Sequence, residues 1–290
     1  MHMSRQIIIA ENAGFCFGVK RAVEMTVDTN KDRKSKVYTL GPLIHNTDVV
    51  ENLKVQGIYP IDNDYFGNLS MEDTVVIRSH GISSDIIEEI KKTGASIVDA
   101  TCPYVTSIQR KARKYYNEGY QIVIVGDPKH PEVIGINGWC DNTAIITKTG
   151  EELKNLPDKV CVLSQTTEKQ ANYEKTLEAV SKLSQDVLAF NTICSATGER
   201  QESAHNVSKK ADLMVVIGGK NSSNTKKLYE ICSENCGNTI LIENVDELPD
   251  NLVTDPKLNV IGVTAGASTP EWIINEVISK LKETSLTSLS

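Results

Sequence analysis

The sequence predicts an α/β protein made of three similar small domains, each with a parallel sheet. Short apolar segments alternate with helical patterns along the 290 residues, which is typical of chains that form parallel sheets. Cys16, Cys102 and Cys194 each follow a strand-like segment and precede a helical one, at intervals of 86 and 92 residues. A period of about 90 residues is too long for a solenoid repeat and fits three small α/β domains instead.

The first domain is expected at residues 1–101, with residues 1–16 as a segment that could pack on the third domain. Its predicted helices are FGVKRAVEMTVDTN, DVVENLKVQG and DIIEEIKKTG, and its predicted strands are KVYTL, TVVIR and SIVDA. The loop after KVYTL holds His45, and the loop after TVVIR holds His80. The strand SIVDA leads directly to Cys102.

The second domain is expected at residues 102–193 and repeats this order. The helix PYVTSIQRKARKYYNEG is followed by the strand QIVIVG, a loop with His130 and Glu132, and the helix-like segment VIGINGWC. The strand KVCVLS then leads to Thr166 and to the helix EKQANYEKTLEAVSKL. The last strand, VLAF, leads to Cys194.

The third domain is expected at residues 194–284, and residues 285–290 are expected to be a frayed tail. Its helix GERQESAHNVSKKA precedes the strand LMVVIG, a loop rich in Ser and Asn, and the helix KKLYEICSENCG. The strand NVIGV enters a loop with Ser268, and Pro270 is well placed to begin the helix EWIINEVISKLKE. The first strands of the three domains end at Gly41, Gly126 and Gly218, at intervals of 85 and 92 residues.

Composition limits the function. A net charge of −7 and a pI near 5.4 argue against a general nucleic-acid-binding surface, although a local anion pocket is compatible with them. No run of apolar residues approaches the roughly 18 that a membrane span requires. We therefore expect a cytoplasmic protein that binds neither nucleic acid nor membrane, and a monomer, because no long amphipathic face is left over.

The seven cysteines are expected to divide into two groups. In a reducing compartment they are better candidates for metal ligands, nucleophiles or core residues than for disulfides. Cys140 and Cys161 lie in apolar segments and are expected in the core. Cys232 and Cys236 are spaced to share a helix face and could form half of a zinc site, but no second pair is evident.

The three repeated cysteines favour a soft metal centre, either iron–sulfur or zinc. Ligand loops lie at the carboxyl ends of parallel strands, so three thiolates from three domains could converge at one point. Iron–sulfur clusters usually take four cysteines, so three ligands on a four-iron cluster would leave one iron open. An open coordination position is typical of a catalytic metal.

The polar loops predict an anion site. Histidines occupy matched loops of the first two domains, and hydroxyl and amide side chains accompany them: His45, Asn46, His80, His130, Thr166, Thr167, Ser222, Ser223, Asn224 and Ser268. Helix starts offer free N–H groups and a positive dipole end, which suit a diphosphate. Neither a P-loop nor a G-x-G-x-x-G motif is present, so nucleotide-driven chemistry has no support.

Glu132 is the only carboxylate next to a histidine in these loops, in the segment His130-Pro131-Glu132. A carboxylate beside a metal centre and a polar substrate could donate protons. A glutamate at a helix start is also favoured by the helix dipole alone. Residue spacing does not separate these two roles.

Two other classes of function are compatible with the residues. The same three thiolates could serve a zinc-dependent hydrolase or lyase, whose active preparation would be colourless and free of iron. The chain could also be a non-enzymatic diphosphate-binding or redox-sensing protein, which would bind without turnover under reducing conditions.

Several motifs from Ile7 to Lys282 together resemble one family. These are GFCFGVKRA, LIHN, SHG, DATCP, KHPEV, SQTT, TIC-SAT-GERQ, KNSSNT and GAST, and they are similar to those of the LytB family of 4-hydroxy-3-methylbut-2-enyl diphosphate reductases. The resemblance implies a three-domain trefoil around a central [4Fe-4S] cluster held by Cys16, Cys102 and Cys194. A fourth iron would bind the hydroxyl group of the substrate.

The resemblance also implies roles for the loop residues. Those implied to bind the diphosphate are His45, His80, His130, Ser222, Ser223, Asn224 and Ser268. Thr166 would orient the hydroxyl end of the substrate, and Glu132 would deliver protons. The implied reaction is reductive dehydroxylation to isopentenyl and dimethylallyl diphosphate by two one-electron transfers, with ferredoxin or flavodoxin as electron donor.

Overall fold

The computed structural model describes residues 5–31, 36–253, 255 and 257–287. Within them the chain forms twelve strands, all of whose pairings are parallel. The strands are β1 (Gln6–Ile9), β2 (Val37–Leu40), β3 (Ile58–Ile61), β4 (Thr74–Ile77), β5 (Ser96–Asp99), β6 (Gln121–Val125), β7 (Ile145–Thr147), β8 (Lys159–Ser164), β9 (Asp186–Ala189), β10 (Leu213–Ile217), β11 (Thr239–Ile242) and β12 (Val260–Ala265).

Helices alternate with these strands, as the sequence predicts. They are α1 (Phe17–Lys31), α2 (Thr47–Val55), α3 (Ser84–Thr93), α4 (Pro103–Asn117), α5 (Pro131–Gly138), α6 (Gln170–Leu183), α7 (Ser195–Ser208), α8 (Ser223–Asn235), α9 (Asp250–Val253) and α10 (Glu271–Thr287). Two short 3₁₀ helices cover Asn63–Asn68 and Val245–Glu247. Among the described residues, no helix combines the length and the apolar character that crossing a bilayer requires.

The strands form three four-stranded sheets with one shared topology. Their orders are β3-β2-β4-β5, β7-β6-β8-β9 and β11-β10-β12-β1. In each sheet the strand that precedes a repeated cysteine, β5, β9 or β1, lies at one edge. This confirms the prediction of three similar α/β domains with parallel sheets. The trefoil arrangement around a cluster and the domain boundaries at residues 101, 193 and 284 stay predictions.

By contacts the chain divides into two compact units. Unit 1 comprises Met1–Phe17, His45–Val49 and Ser195–Ser290, and unit 2 comprises Gly18–Ile44 and Val50–Cys194. Unit 1 contains the sheet of β1, β12, β10 and β11, in which Ile7 pairs with Ile261 and Val215 with Val263. Unit 2 contains the other two sheets.

In unit 1 both faces of the sheet are covered, because successive strand residues point to opposite sides. Leu213, Val215 and Ile217 of β10 pack in one apolar cluster with residues of α10. Met214 and Val216, between them, pack on the other face with residues of α7 and α8. Helix α10 ends at Thr287, and residues 288–290 of the expected frayed tail lie outside the described residues.

The sheets of unit 2 are built on the same alternation. Ile122 and Ile124 of β6 pack with residues of α4 and α5. Val123 and Val125 face the opposite side and pack with Tyr173 of α6 and neighbouring residues. These buried, uninterrupted apolar strands fix each sheet and hold the loops at its carboxyl end.

Candidate functional site

The three repeated cysteines have equivalent local structures. Each immediately precedes a helix, α1, α4 or α7, and each is half-buried. The backbone N–H of each cysteine donates to a carbonyl two residues after the end of the neighbouring strand, β12, β4 or β8. Cys16 donates to Ala267 (3.2 Å), Cys102 to Ser79 (3.0 Å) and Cys194 to Thr166 (3.0 Å). Ligands of parallel sheets bind at the carboxyl ends of the strands, where all three thiols lie. The local fold therefore suits each of the three as a metal ligand.

Helix α1 approaches the Cys102 thiol closely. A Cβ atom on Gly18 would lie only 2.5 Å from Cys102 Sγ and 3.1 Å from Cys102 Cβ. Arg21, one turn further along the same helix, donates from Nη1 to the carbonyl of Thr101 (3.2 Å). Glycine at position 18 is thus required by the space that the thiol occupies.

The other four cysteines lie in the apolar cores, as predicted for Cys140 and Cys161. Cys232 and Cys236, for which half of a zinc site was the alternative to a core position, both belong to the core between the sheet and the helices of unit 1. Burial raises the pKa of Cys140 to about 11 and the pKa values of Cys161 and Cys232 to about 12. Such thiols stay protonated and are poor metal ligands.

A buried carboxylate and a threonine are joined by two hydrogen bonds in unit 2. Thr166 donates from its backbone N–H to Glu132 Oε1 and from its hydroxyl to Glu132 Oε2, both at 2.6 Å. Glu132 is 2% exposed and Thr166 is 8% exposed. The carbonyl of Thr166 is the group that accepts from the Cys194 N–H, so one short segment links the carboxylate to a candidate ligand.

His130 caps helix α5, and its role as an acceptor fixes its tautomer. The Glu132 N–H donates to His130 Nδ1 (3.2 Å), so a neutral His130 carries its proton on Nε2. The rings of His130 and His80 meet edge to face with their centroids 5.3 Å apart. His80 directly follows Ser79, whose carbonyl accepts from the Cys102 N–H.

Gln165, to which the sequence analysis gave no role, connects the two loops. It is fully buried and accepts from the Asp127 N–H (3.1 Å) through Oε1, while its Nε2 donates to the Thr167 hydroxyl (2.8 Å). A side chain on Gly126 would come within 2.9 Å of Gln165. The amide therefore holds the loop of His130 against the loop of Thr166. Its place in the SQTT motif, next to two threonines, was the only signal in the sequence.

In unit 1 the expected anion-binding residues surround the start of helix α8. Ser222 is the N-cap, and its Oγ accepts from the Thr225 N–H (3.3 Å). Ser223 is the first helical residue and is half-buried. Asn224 is 3% exposed, and neither its Nδ2 nor its Oδ1 has a hydrogen-bond partner among the described residues. A buried amide with both ends unsatisfied is costly and indicates a ligand.

The loop of His45 lies beside this helix start. Ser268 Oγ donates to the His45 carbonyl (3.1 Å), and a side chain on Gly219 would collide with that same carbonyl. The Ser222 N–H donates to the Gly219 carbonyl (2.9 Å). Unit 1 therefore brings together four of the expected residues at the start of helix α8, through the backbone of His45 and Gly219. They are His45, Ser222, Asn224 and Ser268.

Arg200, in the GERQ segment of helix α7, is a further positioning residue that the sequence analysis did not assign. It is 3% exposed and donates from Nε to the Asn12 carbonyl (2.8 Å) and from Nη2 to the Gly14 carbonyl (3.0 Å). Asn12 and Gly14 both have positive φ angles, of 60° and 98°. The guanidinium thus fixes the strained loop that leads to Cys16.

The expected site residues therefore form two local groups. Unit 2 brings together Cys102, Cys194, His80, His130, Glu132 and Thr166. Unit 1 holds Cys16, His45, Ser222, Ser223, Asn224 and Ser268. Each group has thiols at helix starts and polar side chains at the carboxyl ends of parallel strands, where ligands of such sheets bind.

Comparisons with known proteins agree with this geometry. A family model described as LytB protein matches residues 7–282. The chain is 56% identical over 281 residues to a 4-hydroxy-3-methylbut-2-enyl diphosphate reductase of Clostridium perfringens, covering 97% of this chain and 100% of that one. It is 57% identical to a protein of the same name from Clostridium acetobutylicum, covering 96% of this chain but only 44% of that longer one.

A solved structure is also similar over most of its length. It is the structure of (E)-4-hydroxy-3-methyl-but-2-enyl diphosphate reductase, the terminal enzyme of the non-mevalonate pathway, with a TM-score of 0.70 and 42% identity. The match covers 96% of this chain and 99% of that one.

Proposed function

The chain belongs to the LytB family, and on this premise we propose that it reductively removes the hydroxyl group of 4-hydroxy-3-methylbut-2-enyl diphosphate. The allylic carbon–oxygen bond breaks, two electrons and two protons are consumed, and the oxygen leaves as water. The products are isopentenyl diphosphate and dimethylallyl diphosphate. This is the terminal step of the non-mevalonate pathway.

The observation that supports this proposal most strongly is the buried pair of Glu132 and Thr166. A carboxylate that accepts two 2.6 Å hydrogen bonds away from bulk water is held in one position. General acid–base catalysis requires such a fixed group within hydrogen-bond reach of the proton's destination. Glu132 therefore delivers the protons, and the Thr166 hydroxyl, already bonded to it, orients the hydroxyl end of the substrate.

The diphosphate is bound by the polar side chains at the strand ends. The amide of Asn224, which has no described partner, and the first N–H groups of helix α8 suit phosphate oxygens. Ser222 and Ser223 at that helix start, with Ser268 and His45, supply further donors. His80 and His130 complete the set, and the Glu132 N–H that donates to His130 Nδ1 fixes the orientation of that ring.

A [4Fe-4S] cluster held by Cys16, Cys102 and Cys194 fits the residues present. These three cysteines are half-buried at helix starts, whereas the other four lie in apolar cores, so the chain separates three candidate ligands from four structural thiols. When bound, such a cluster would supply electrons one at a time, and its open iron would act as a Lewis acid. Gly18 leaves room beside the Cys102 sulfur.

The proposal also includes the electron donor, the cellular compartment and the oligomeric state. The electron donor is a ferredoxin or flavodoxin, as the family resemblance implies. The protein works as a cytoplasmic monomer.

The experiment that tests the proposal is anaerobic. The protein is reconstituted with iron and sulfide, reduced viologen is added, and viologen oxidation is followed with and without the substrate. We expect oxidation that depends on the substrate. Cluster assembly without turnover would favour a binding or sensing protein, and an active, colourless preparation that lacks iron would favour zinc chemistry.

A further inference from the structure

Unit 2 contains a cavity that includes none of the residues assigned to the diphosphate or to the cluster. Its volume is about 280 Å³, near the lower end of the range of roughly 300–1,000 Å³ for small-molecule sites. Its wall is mainly apolar and includes Leu40, Ile61, Ile82, Ile86, Pro131 and Ile134. Such a wall suits the carbon skeleton of a small organic molecule.

Arg78 is the cationic group in this wall. Its Nε is buried and has no hydrogen-bond partner among the described residues, and the ion pairs of the described chain do not include it. Burial lowers the pKa of Arg78, yet a guanidinium remains charged in proteins. Arg78 is half-buried, and removing a charge even partly from water without a partner is costly, so a charge of opposite sign is the expected occupant.

The backbone at Gly41 lies close against the guanidinium of Arg78. Gly41, another wall residue, has a φ angle of 69°, and a Cβ on it would lie 2.8 Å from Arg78 Nη1. The glycine therefore keeps the guanidinium uncrowded on that side.

A second feature of the same cavity also favours an anion. Ser83, in its wall, is the N-cap of the ten-residue helix α3, and its side chain makes no capping hydrogen bond. The first N–H groups of a helix and its positive dipole end attract anions. The guanidinium and the helix start therefore both contribute positive potential to one cavity.

The one carboxylate in the cavity wall does not neutralise this potential. Asp62 is exposed and forms no ion pair with Arg78. Asp62 would repel an incoming anion, and it does not itself serve as the counter-ion of Arg78.

We propose that this cavity binds a small organic anion, with a carboxylate or phosphate group on Arg78 and the start of helix α3 and a short carbon chain against the apolar wall. A planar guanidinium binds both groups through paired hydrogen bonds. The site is independent of the proposed reductase reaction, and it adjoins the catalytic loops because Pro131 lies between His130 and Glu132.

Trp139 provides a local probe. Its indole N–H donates to the carbonyl of Ile82 (2.9 Å), and Ile82 lines the cavity. The cluster-loaded protein is labelled with 5-fluorotryptophan, and the variant Trp272→Phe assigns the two signals. Hexanoate, monobutyl phosphate and the neutral control hexanol are titrated while the fluorine resonance of Trp139 is recorded.

We expect a saturable shift with hexanoate or monobutyl phosphate and none with hexanol. The anion that binds more tightly identifies the preferred headgroup. Arg78→Met should weaken binding by about tenfold or more, because charge-assisted hydrogen bonds are lost. Asn224→Ala, in unit 1, should leave the titration unchanged. Equal affinity in the wild type and in Arg78→Met, or no shift with either anion, would overturn the proposal.

Two further variants keep the test decisive if Arg78→Met does not fold. Ile134 is 53% exposed, so Ile134→Phe should fold while narrowing the cavity and weakening binding. Asp62→Asn should strengthen binding, since it removes a repelling charge. If Ile134→Phe and Asp62→Asn both bind as the wild type does, the anion is not in this cavity.

Discussion

Thr166 gives both of its hydrogen-bond donors to the carboxylate of Glu132, at 2.6 Å each. Sequence motifs assigned these residues separate roles, one in orienting the substrate and one in delivering protons. The structure joins them in one hydrogen-bonded unit, so the hydroxyl proposed to orient the substrate would also be a route for the proton. The same Thr166 carbonyl accepts from Cys194, so the unit is tied to a candidate cluster ligand.

Glu132→Gln should retain substrate binding and lose turnover by about 10²–10⁴-fold, the usual contribution of a positioned acid or base. The amide can still accept from Thr166 but cannot supply a proton. The measurement is steady-state turnover together with substrate affinity.

Glu168 is also buried, at 1% exposure, but it bonds to the start of helix α6 through Asn172. Glu168→Gln is therefore the matched control and should keep most activity. Full activity of Glu132→Gln would remove it from proton delivery.

Asn224→Ala should raise KM for the diphosphate substrate by about 10–100-fold, the value of one or two hydrogen bonds to a charged group. Stability should fall little, because this amide has no described partner to lose. Asn235, at the other end of helix α8, bonds to the Ile231 carbonyl, and Asn235→Ala should leave KM unchanged. An unchanged KM in Asn224→Ala would show that the amide serves only the fold.

Gly18→Ala should lower the iron content, because its Cβ would lie 2.5 Å from the Cys102 sulfur and must displace the thiol or helix α1. Overpacking of this kind costs about 1–3 kcal/mol of stability.

Gly198, in helix α7, has open space around its Cβ position. Gly198→Ala should keep full iron content and gain up to about 1 kcal/mol. Iron and sulfide assays with thermal unfolding check both variants, and normal iron in Gly18→Ala would place the Cys102 thiol outside the ligand set.

Alkaline stability should depend on the buried thiols. Burial raises the pKa of Cys161 from 9.0 to about 12, so its thiol stays protonated in the folded chain where the unfolded chain has lost the proton. This contribution is complete below pH 9 and is lost as the pH rises towards 12, at about 1.4 kcal/mol per pH unit.

The replacement Cys161→Val keeps an apolar side chain at this buried position and removes the titrating group, so the fall in unfolding free energy over that pH window should become shallower by this amount. Ile124→Val, on the neighbouring strand β6, removes a methylene and should lower stability by about 0.5–1.5 kcal/mol at every pH. Denaturant unfolding across the pH series separates the two effects. An identical pH slope in Cys161→Val and wild type would mean that this thiol titrates normally.

Whether a strand could be predicted from the sequence depended on whether it forms an uninterrupted apolar run. The buried central strands were predicted because runs such as LMVVI and QIVIV are uninterrupted and apolar. The strands β3, β7 and β11, which lie at the sheet edges opposite those that lead to the cysteines, were not predicted. Pro60 within β3 is tolerated because an edge strand needs fewer hydrogen bonds, but in a sequence it argues against a strand.

The site shows the same division. The cysteines, the histidines and Glu132 could be proposed as site residues because their chemistry is recognisable in a motif. Arg200, Gln165 and Gly18 were not assigned, because their importance comes from which backbone carbonyl, loop or sulfur they meet in three dimensions. Arg200 reaches carbonyls 186 and 188 residues away along the chain, and no local pattern predicts such a contact. The pairing of Thr166 with Glu132, 34 residues apart, was missed for the same reason.

The most direct test of the reductase proposal is the identity of the product. The cluster-loaded protein is incubated anaerobically with 4-hydroxy-3-methylbut-2-enyl diphosphate and reduced viologen, and the mixture is analysed by mass spectrometry. The account predicts isopentenyl and dimethylallyl diphosphates, which keep both phosphates and lack the hydroxyl oxygen. Recovery of unchanged substrate, or of inorganic diphosphate from hydrolysis, would contradict it.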